Sequence, residues 1–463
     1  MKKTVTIIGA GLAGSEAALQ LAQRGFKVRL VEMRPVLQTP VHKTENAAEL
    51  VCSNSLKSTK PESAAGMLKA ELAVLGSYLY MSAYRHKVAA GGALAVSRDE
   101  FSLDVTMQIK SNPNIEIERR EACDISIESK LADAVIVAAG PLISDALADS
   151  LISLTGQEQL FFFDAAAPVV LASSLDMTKI FSQSRYEEGE GDYLNAPFSR
   201  EEYEAFINEL VSAERVILCD FESKDLFQAC QPIEEVARTG IDAPRFGALK
   251  PVGLTDPRTG HRPWAAVQLR AEDVCQQSYN LVGFQTNLTF PEQKRVFHMI
   301  PGLEHAEFSR FGVMHRNTFI NAPHLLNNHL QLITPAAYNL ASPVYVAGQL
   351  SGTEGYCEAI RSGLHAALAV TANLSGKYLP ELPSTCAFGA LLSWATSPDT
   401  LDYQPMHVNF GIIPPLETRI RNKRERYAAY AKRGAQALSV YCEKLREQGL
   451  LRTSSILQEG LGE

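Results

Sequence analysis

The 463-residue chain has no C-x-x-C pair and no histidine–cysteine spacing of the kind that holds zinc. Its eight cysteines (Cys52, Cys123, Cys219, Cys230, Cys275, Cys357, Cys386 and Cys442) are scattered. That pattern fits free thiols in a reducing cytoplasm rather than a disulfide framework or a zinc site. No apolar run approaches the length of a membrane span. The most apolar region, Leu160 to Ala172, is short and carries Asp164. The start, Met1-Lys-Lys and then apolar residues, mimics an export signal, but Glu16 interrupts it and a strand and a turn account for it. The formal net charge of -8 argues against a globally basic coat for nucleic acid and leaves a local basic face open. A separate fingerprint for a nicotinamide cofactor is also missing.

What is present is an ordinary globular composition, 46% hydrophobic and 21% charged, long enough for two or three domains. Near the N-terminus, Thr4-Val-Thr-Ile-Ile-Gly9-Ala10-Gly11-Leu12-Ala13-Gly14 reads as a buried strand, a glycine turn and the first turn of a helix. Gly9 allows the turn, Gly11 lets a pyrophosphate approach the backbone, and Gly14 lets helix and strand pack closely. The amides and positive dipole end of that helix form an anion site. The helix runs to about Arg24, with Gly25 suited to its left-handed cap. A second strand, Val28 to Glu32, brings a carboxylate 23 residues after Gly9, where the fingerprint wants one for ribose hydroxyls. Glu32 disfavours NADP and leaves FAD or NAD. The competing reading is a glycine-rich structural turn in another α/β fold.

Further along, Ala64 to Leu79 has helical spacing, Ser97-Arg-Asp-Glu100 opens a helix with capping-box residue types, and 115–119 and 123–128 read as strands. Asp133 to Pro141 is a buried strand ending in small residues and Gly140, a second element that favours FAD over NAD. From 166 to 329 alternation, turns and aromatics increase, as in a sheet-rich insertion with a hairpin around Asp256–Gly260. Pro343 to Tyr356 then returns to a strand and a glycine loop, with Gly348 and Gly355, followed by a small-residue helix. Both ends of the chain therefore build one cofactor domain. The expected fold is α/β: a Rossmann-like FAD-binding domain of the two-dinucleotide-domain flavoprotein type, with an inserted α+β domain. The parts are 1–165, FAD-binding; 166–329, inserted and substrate- or RNA-binding; and 330–463, FAD-binding again with a basic tail.

Charge adds two weaker signals. Residues 245–316 hold nine Lys/Arg against six Asp/Glu, and Arg419 to Arg433 holds seven Lys/Arg with Glu425 as its acid. The second stretch reads as a basic helix, either a solvated surface or a contact for a phosphate backbone. Read alone, Cys52 suits a buried small hydrophobe better than a reactive thiol.

Longer strings carry a resemblance. Val-Glu32-Met33-Arg34-Pro35, Glu49-Leu-Val-Cys52-Ser-Asn-Ser-Leu56, Gly91 to Val96, Lys250 to Leu254, Val282 to Gln285, Phe311 to Thr318, Glu354-Gly-Tyr356 and Gln404-Pro-Met406 resemble the folate- and FAD-dependent tRNA (uracil-5-)-methyltransferase family of bacteria. The resemblance runs from residue 5 to about 415. It implies a cytoplasmic enzyme that makes ribothymidine in the tRNA T-loop (uridine-54). Carbon would come from 5,10-methylenetetrahydrofolate and reducing power from NADPH or NADH through FAD. It implies Cys230 as the thiol that attacks uracil and Cys52 as the second functional cysteine. His315 and Tyr356 would sandwich the folate pterin. Gly9, Ala10, Gly11, Leu12, Ala13, Gly14, Glu32, Arg34, Gly140, Gly348 and Gly355 would hold FAD. Cys357, Ile360 and Arg361 stand where that family usually has small residues, and Ala248 where a proline usually follows the glycine. The same chemistry on ribosomal RNA, a small-molecule FAD oxidoreductase and a flavin-binding RNA scaffold remain the alternatives. The related flavoprotein that modifies the wobble uridine is longer, with a helical C-terminal region not seen in this sequence.

Overall fold

The computed structural model describes residues 2–39, 41–157, 160–187, 189–216, 231–400 and 403–451, without the side chains at 160, 162–164, 315 and 316. Five strands form a parallel sheet in the order Val344–Val346, Ala134–Val137, Thr4–Ile8, Lys27–Glu32, Ile115–Arg119. Val5, Ile7, Val135 and Ile136 are fully buried, as expected of central strands covered on both faces. The helix Leu12–Gln23 follows the first strand and packs against Tyr356–Ser375. A Cβ on Gly363 would stand 2.1 Å from the Ala13 carbonyl oxygen, so the two backbones touch directly.

A second sheet, from the middle of the chain, has the order Phe181–Ser182, Tyr193–Phe198, Ala265–Ala271, Ser278–Leu281, Val169–Leu171, Phe308–Arg310 and is antiparallel throughout. There are accordingly two large apolar cores. One draws on Val5 to Leu154 and Phe319 to Leu450, the other on Val170 to Ala306. The chain passes between them twice, and the two passages, Leu160–Ala165 and Met314–Phe319, pair with each other as antiparallel strands.

Local chemistry departs from the sequence expectations at four places. Residues 123–128 include the start of a helix, Ile125–Lys130, because the Asp124 carboxylate accepts the Ser126 N–H at 2.7 Å and caps it. The helical stretch from Ala64 breaks at Gly76 (φ 70) into Ala64–Val74 and Tyr78–Arg85. The buried Glu16 takes the Leu79 N–H at 2.9 Å and the Ser77 hydroxyl at 3.0 Å, which fixes the start of the second piece. Ser97 precedes the helix Arg98–Lys110 without a side-chain cap, whereas a full capping box forms at Ser199 and Glu202. Asp256–Gly260 closes a small bridge between Asp256 and His261, while the long strand pair Ala265–Ala271 and Ser278–Leu281 has its own connection.

The unusual residues of the Tyr356–Ser375 helix have structural partners. Ile360 lies in the core. Arg361 is fully buried, its guanidinium 4.7 Å over the Phe388 ring and its Nε 3.7 Å from Glu71 Oε2. Burial pushes the Glu71 carboxyl up to about 7; Arg361 and the Ala387 and Phe388 N–H groups reverse that only in part. Below about 4.5, the ordinary value, both folded and unfolded chains hold this proton. As pH rises from there to about 7 the unfolded chain ionises first, so stability falls, by on the order of 3 kcal/mol. Glu71→Gln should flatten that segment of the stability profile, read from denaturant midpoints between pH 4.5 and 7. An unchanged slope in the variant would reject the assignment.

Candidate functional site

The glycine turn closes on itself. Gly9 has φ +100, and a Cβ on Gly14 would lie 1.9 Å from the Gly9 carbonyl oxygen. Gly11 differs: it has φ -70, and a Cβ there meets no atom within 4 Å. A Cβ on Gly140, at the tip of the Ala134–Val137 strand, likewise meets no atom within 4 Å, although its φ is +69. Both border a long cleft of about 1710 Å³, part of it open to solvent. Gly9, Leu12, Ala13, Glu32, Arg34, Gly348, Gly355 and Tyr356 border it too. The cleft thus has bare backbone on three loops, and these residues fit FAD: a helix start with accessible amides, close approach at Gly11 and Gly140, and an acid at the end of the second strand.

That acid is held rigidly. Glu32 accepts the Ala10 N–H at 2.8 Å through one oxygen and the Arg34 N–H and Nε at 3.0 and 2.9 Å through the other. Burial would raise its pKa, but Arg34 and these donors outweigh burial and hold it below the ordinary carboxylate value. Arg34 itself is buried and reaches on to Glu49 and to the Thr44 and Asn46 carbonyls at 3.1, 3.1 and 3.2 Å. It clamps the polar loop onto the cofactor wall. His42 lies in that loop and borders the cleft; burial and then Arg34 push its pKa down to about 4.

The loop continues into Val51-Cys52-Ser53, which forms part of the cleft wall. Its conformation is set from outside. The Tyr356 hydroxyl oxygen accepts the Cys52 and Ser53 N–H groups at 2.9 and 3.1 Å. Arg98 donates to the Leu50 and Cys52 carbonyls at 2.8 and 3.1 Å and pairs with Glu272. Arg310 donates to the Val51 carbonyl. The Cys52 sulfur lies 3.9 Å from the Ala165 carbonyl oxygen. Left-handed backbone at Ala48 (φ 54) and Lys57 (φ 65) brackets this stretch, conformations that non-glycine residues adopt at a cost of about 1 kcal/mol or more.

Residues 4–378 match the family described as glucose inhibited division protein A. The methylenetetrahydrofolate–tRNA-(uracil-5-)-methyltransferase TrmFO of Listeria monocytogenes is 48% identical over 445 residues, 96% of this chain and all of that one. The protein of the same name from Pelotomaculum thermopropionicum is 49% identical over 443 residues, 96% of this chain and 99% of that one. The chain belongs to the TrmFO family. A solved structure of Aquifex aeolicus GidA superposes with a TM-score of 0.67, covering all of this chain and 78% of that one; at 16% identity it speaks for the fold alone.

Of the residues that the TrmFO resemblance singles out, Cys52, Tyr356 and the glycine turns share the cleft. Cys230 lies outside the described residues. The chain just after it is anchored: the Ile233 N–H donates to the Gln285 carbonyl at 2.7 Å. The side chain of His315 is likewise outside the description, and its backbone pairs in register with Asp164, next to Ala165. Cys357 is buried, its sulfur 3.8 Å from the Leu56 carbonyl oxygen, and burial pushes its thiol up to about 11. Among the described residues no group of acidic, histidine and cysteine side chains could hold a metal, and no helix is long and apolar enough to cross a membrane.

Sequence reasoning missed Arg98, Glu272 and Arg310. They lie far apart in the chain, and two of them belong to the inserted segment. It also missed Asn317, which borders the cleft. The available signal was its place in the Phe311 to Thr318 string, two residues beyond His315.

The two helix-start glycines should separate experimentally. Gly11→Ala should leave thermal stability within about 1 kcal/mol of wild type, because its Cβ enters open space, yet purify colourless. Gly14→Ala should lose several kcal/mol of stability as well as flavin, because its Cβ meets backbone. Flavin absorbance and melting temperature read both. Full flavin content in Gly11→Ala would remove the cofactor from that turn.

Proposed function

We propose that the chain methylates C5 of uridine-54 in the tRNA T-loop, giving ribothymidine, with 5,10-methylenetetrahydrofolate as carbon donor and NADPH or NADH as reductant through FAD, in the cytoplasm. The observation that carries this reading is a thiol loop built into the wall of a flavin-type cleft. Cys52 stands there, its backbone fixed by Tyr356, Arg98 and Arg310.

Uracil C5 is a weak nucleophile. The Cys230 thiolate adds to C6 through a sulfur–carbon bond, and the C5–C6 electron pair moves into the ring as an enolate. C5 then bonds the one-carbon unit, which gives up its C–N bonds to the carrier, the electron pairs staying on nitrogen, and C5 must lose its proton. We assign that proton to Cys52, whose loop lies among cationic side chains: Arg98 and Arg310 both interact electrostatically with its sulfur. The thiolate of Cys230 leaves as the C5–C6 double bond reforms. FAD, when bound, supplies the hydride chemistry that completes the methyl group. The glycine turns and Glu32 hold it in place. The Tyr356 hydroxyl keeps the Cys52 loop in position, and Tyr356 with His315 flanks the pterin. A nicotinamide would reach the flavin transiently, through the folate pocket.

Unmodified tRNA incubated with NADPH and labelled methylenetetrahydrofolate should yield labelled ribothymidine on nucleoside analysis. Cys230→Ala should abolish it while the protein stays yellow, and Cys52→Ala should lower it at least 100-fold. Equal methylation of transcripts lacking the T-loop, or label in ribosomal RNA alone, would overturn the substrate assignment.

The basic stretch suits the same substrate. Arg426 and Arg433 are used internally, donating to the Ile420 carbonyl at 3.2 Å and to the Pro415 carbonyl at 2.8 Å. Arg419, Arg421, Lys423, Arg424 and Lys432 are exposed. Phe410 stacks on Tyr427 with centroids 4.1 Å apart. The strand-like segment before Phe410 bridges the cofactor loop at Thr353 and Met406. The basic face is thereby tied to the cleft. Reversing Arg419, Arg421, Lys423 and Arg424 to Glu should raise KM for tRNA and flatten its dependence on log salt by roughly 3 to 4, at about 0.9 per phosphate contact. An unchanged slope would leave this face merely solvated.

A further inference from the structure

Asn317 is 1% exposed and borders the cleft, yet neither its Nδ2 nor its Oδ1 has a hydrogen-bond partner. Its strand, Met314–Phe319, is fixed on both sides of the cleft. The Thr318 N–H donates to the Pro141 carbonyl at 2.9 Å, just past Gly140, and the Ile320 N–H to the Leu350 carbonyl at 3.0 Å, just past Gly348. Those bonds fix the backbone from which the buried carboxamide projects. A buried amide with no partner is costly, and native chains keep one where a ligand or water completes it.

The chemistry of the group narrows the ligand. A carboxamide presents a donor and an acceptor side by side. Its complement is a ring edge in which N–H and C=O are adjacent. A carboxylate could offer only acceptors to such an edge, and a lysine only donors. We infer that Asn317 reads the cis –NH–C(=O)– edge of a pyrimidine-type ring seated in the cleft. Three rings of the proposed reaction carry that edge: the flavin, the pterin and the target uracil. The inference deepens the proposed function and rests on it for the last two. The amide pair then counts as a binding determinant that orients a ring relative to the Cys52 loop, in a cleft that Gln349 and Tyr356 also border.

The test uses the full-length protein and three variants, Asn317→Ala, Asn317→Asp and Asn317→Leu. One arm titrates flavin-stripped protein with FAD and records the dissociation constant and the bound absorption spectrum. The other arms measure KM for tRNA and KM for methylenetetrahydrofolate. Asn317→Ala and Asn317→Asp should weaken one of the three by about 10- to 100-fold, the loss expected for a paired buried hydrogen bond. The weakened constant names the ring. A purely structural role predicts something else. In the flavin-stripped state Asn317→Leu should melt at or above wild type, because it removes an unsatisfied buried amide. A lower melting temperature there, or three constants within twofold of wild type in all variants, would overturn the inference. If wild type binds FAD but does not methylate tRNA, the proposed function falls instead, and the flavin arm still decides this one.

Discussion

Backbone touching backbone at two glycines organises the molecule. Gly14 lies against the Gly9 carbonyl, and Gly363 against the Ala13 carbonyl. No side chain fits at either point. The first contact seats the Leu12–Gln23 helix at the end of its strand. The second seats the Tyr356–Ser375 helix, from the other end of the chain, against the start of the first. Together they bring the loops at Gly9–Gly14 and Gly348–Tyr356 onto one cleft. The distance available to a pyrophosphate is therefore fixed by packing, since the helix starts cannot slide apart without opening the core behind them.

The elements nearest these glycines were also the most legible. A glycine turn, a helix start and an acid at a fixed offset are local features, and their geometry follows from neighbours in sequence. The strand from Ala134 and the return at Val344 were readable because central parallel strands are apolar throughout. Reading failed where a distant partner decides the outcome. Glu16 fixes the start of a helix at Tyr78, more than sixty residues away, and nothing near Ser77 announces it. Asp124 turned an apparent strand into a helix through a single cap. At the site the same rule holds. Cys52 and Tyr356 stood out through family strings, while the arginines that shape the Cys52 loop carried no local signal.

Those arginines say something about how the two cores cooperate. Arg98 opens a helix that packs into the first core, and its carboxylate partner Glu272 follows a strand of the second. Arg310 also comes from the insertion. Asn54, two residues past Cys52, accepts from Arg270 at 2.8 Å and donates to the Ala271 carbonyl at 2.9 Å. Every one of these bonds crosses from the second sheet to the thiol loop or to its immediate support. Burying this many charges costs desolvation, which Arg270 registers as a guanidinium pushed below its ordinary value. An apolar seam of the same size would be cheaper. What the polar seam adds is direction, because guanidinium–carbonyl bonds tolerate little rotation.

The consequence is a coupling: a displacement of the second sheet would reach the Cys52 loop through Arg310 and Glu272, while Tyr356 and Arg98 tie that loop to the core that carries the glycine cradle. The thiol loop is thus held from both cores, by Tyr356 and Arg98 from one and by Arg310 from the other, whereas the glycine cradle is held within one. That division follows from which core supplies each hydrogen bond.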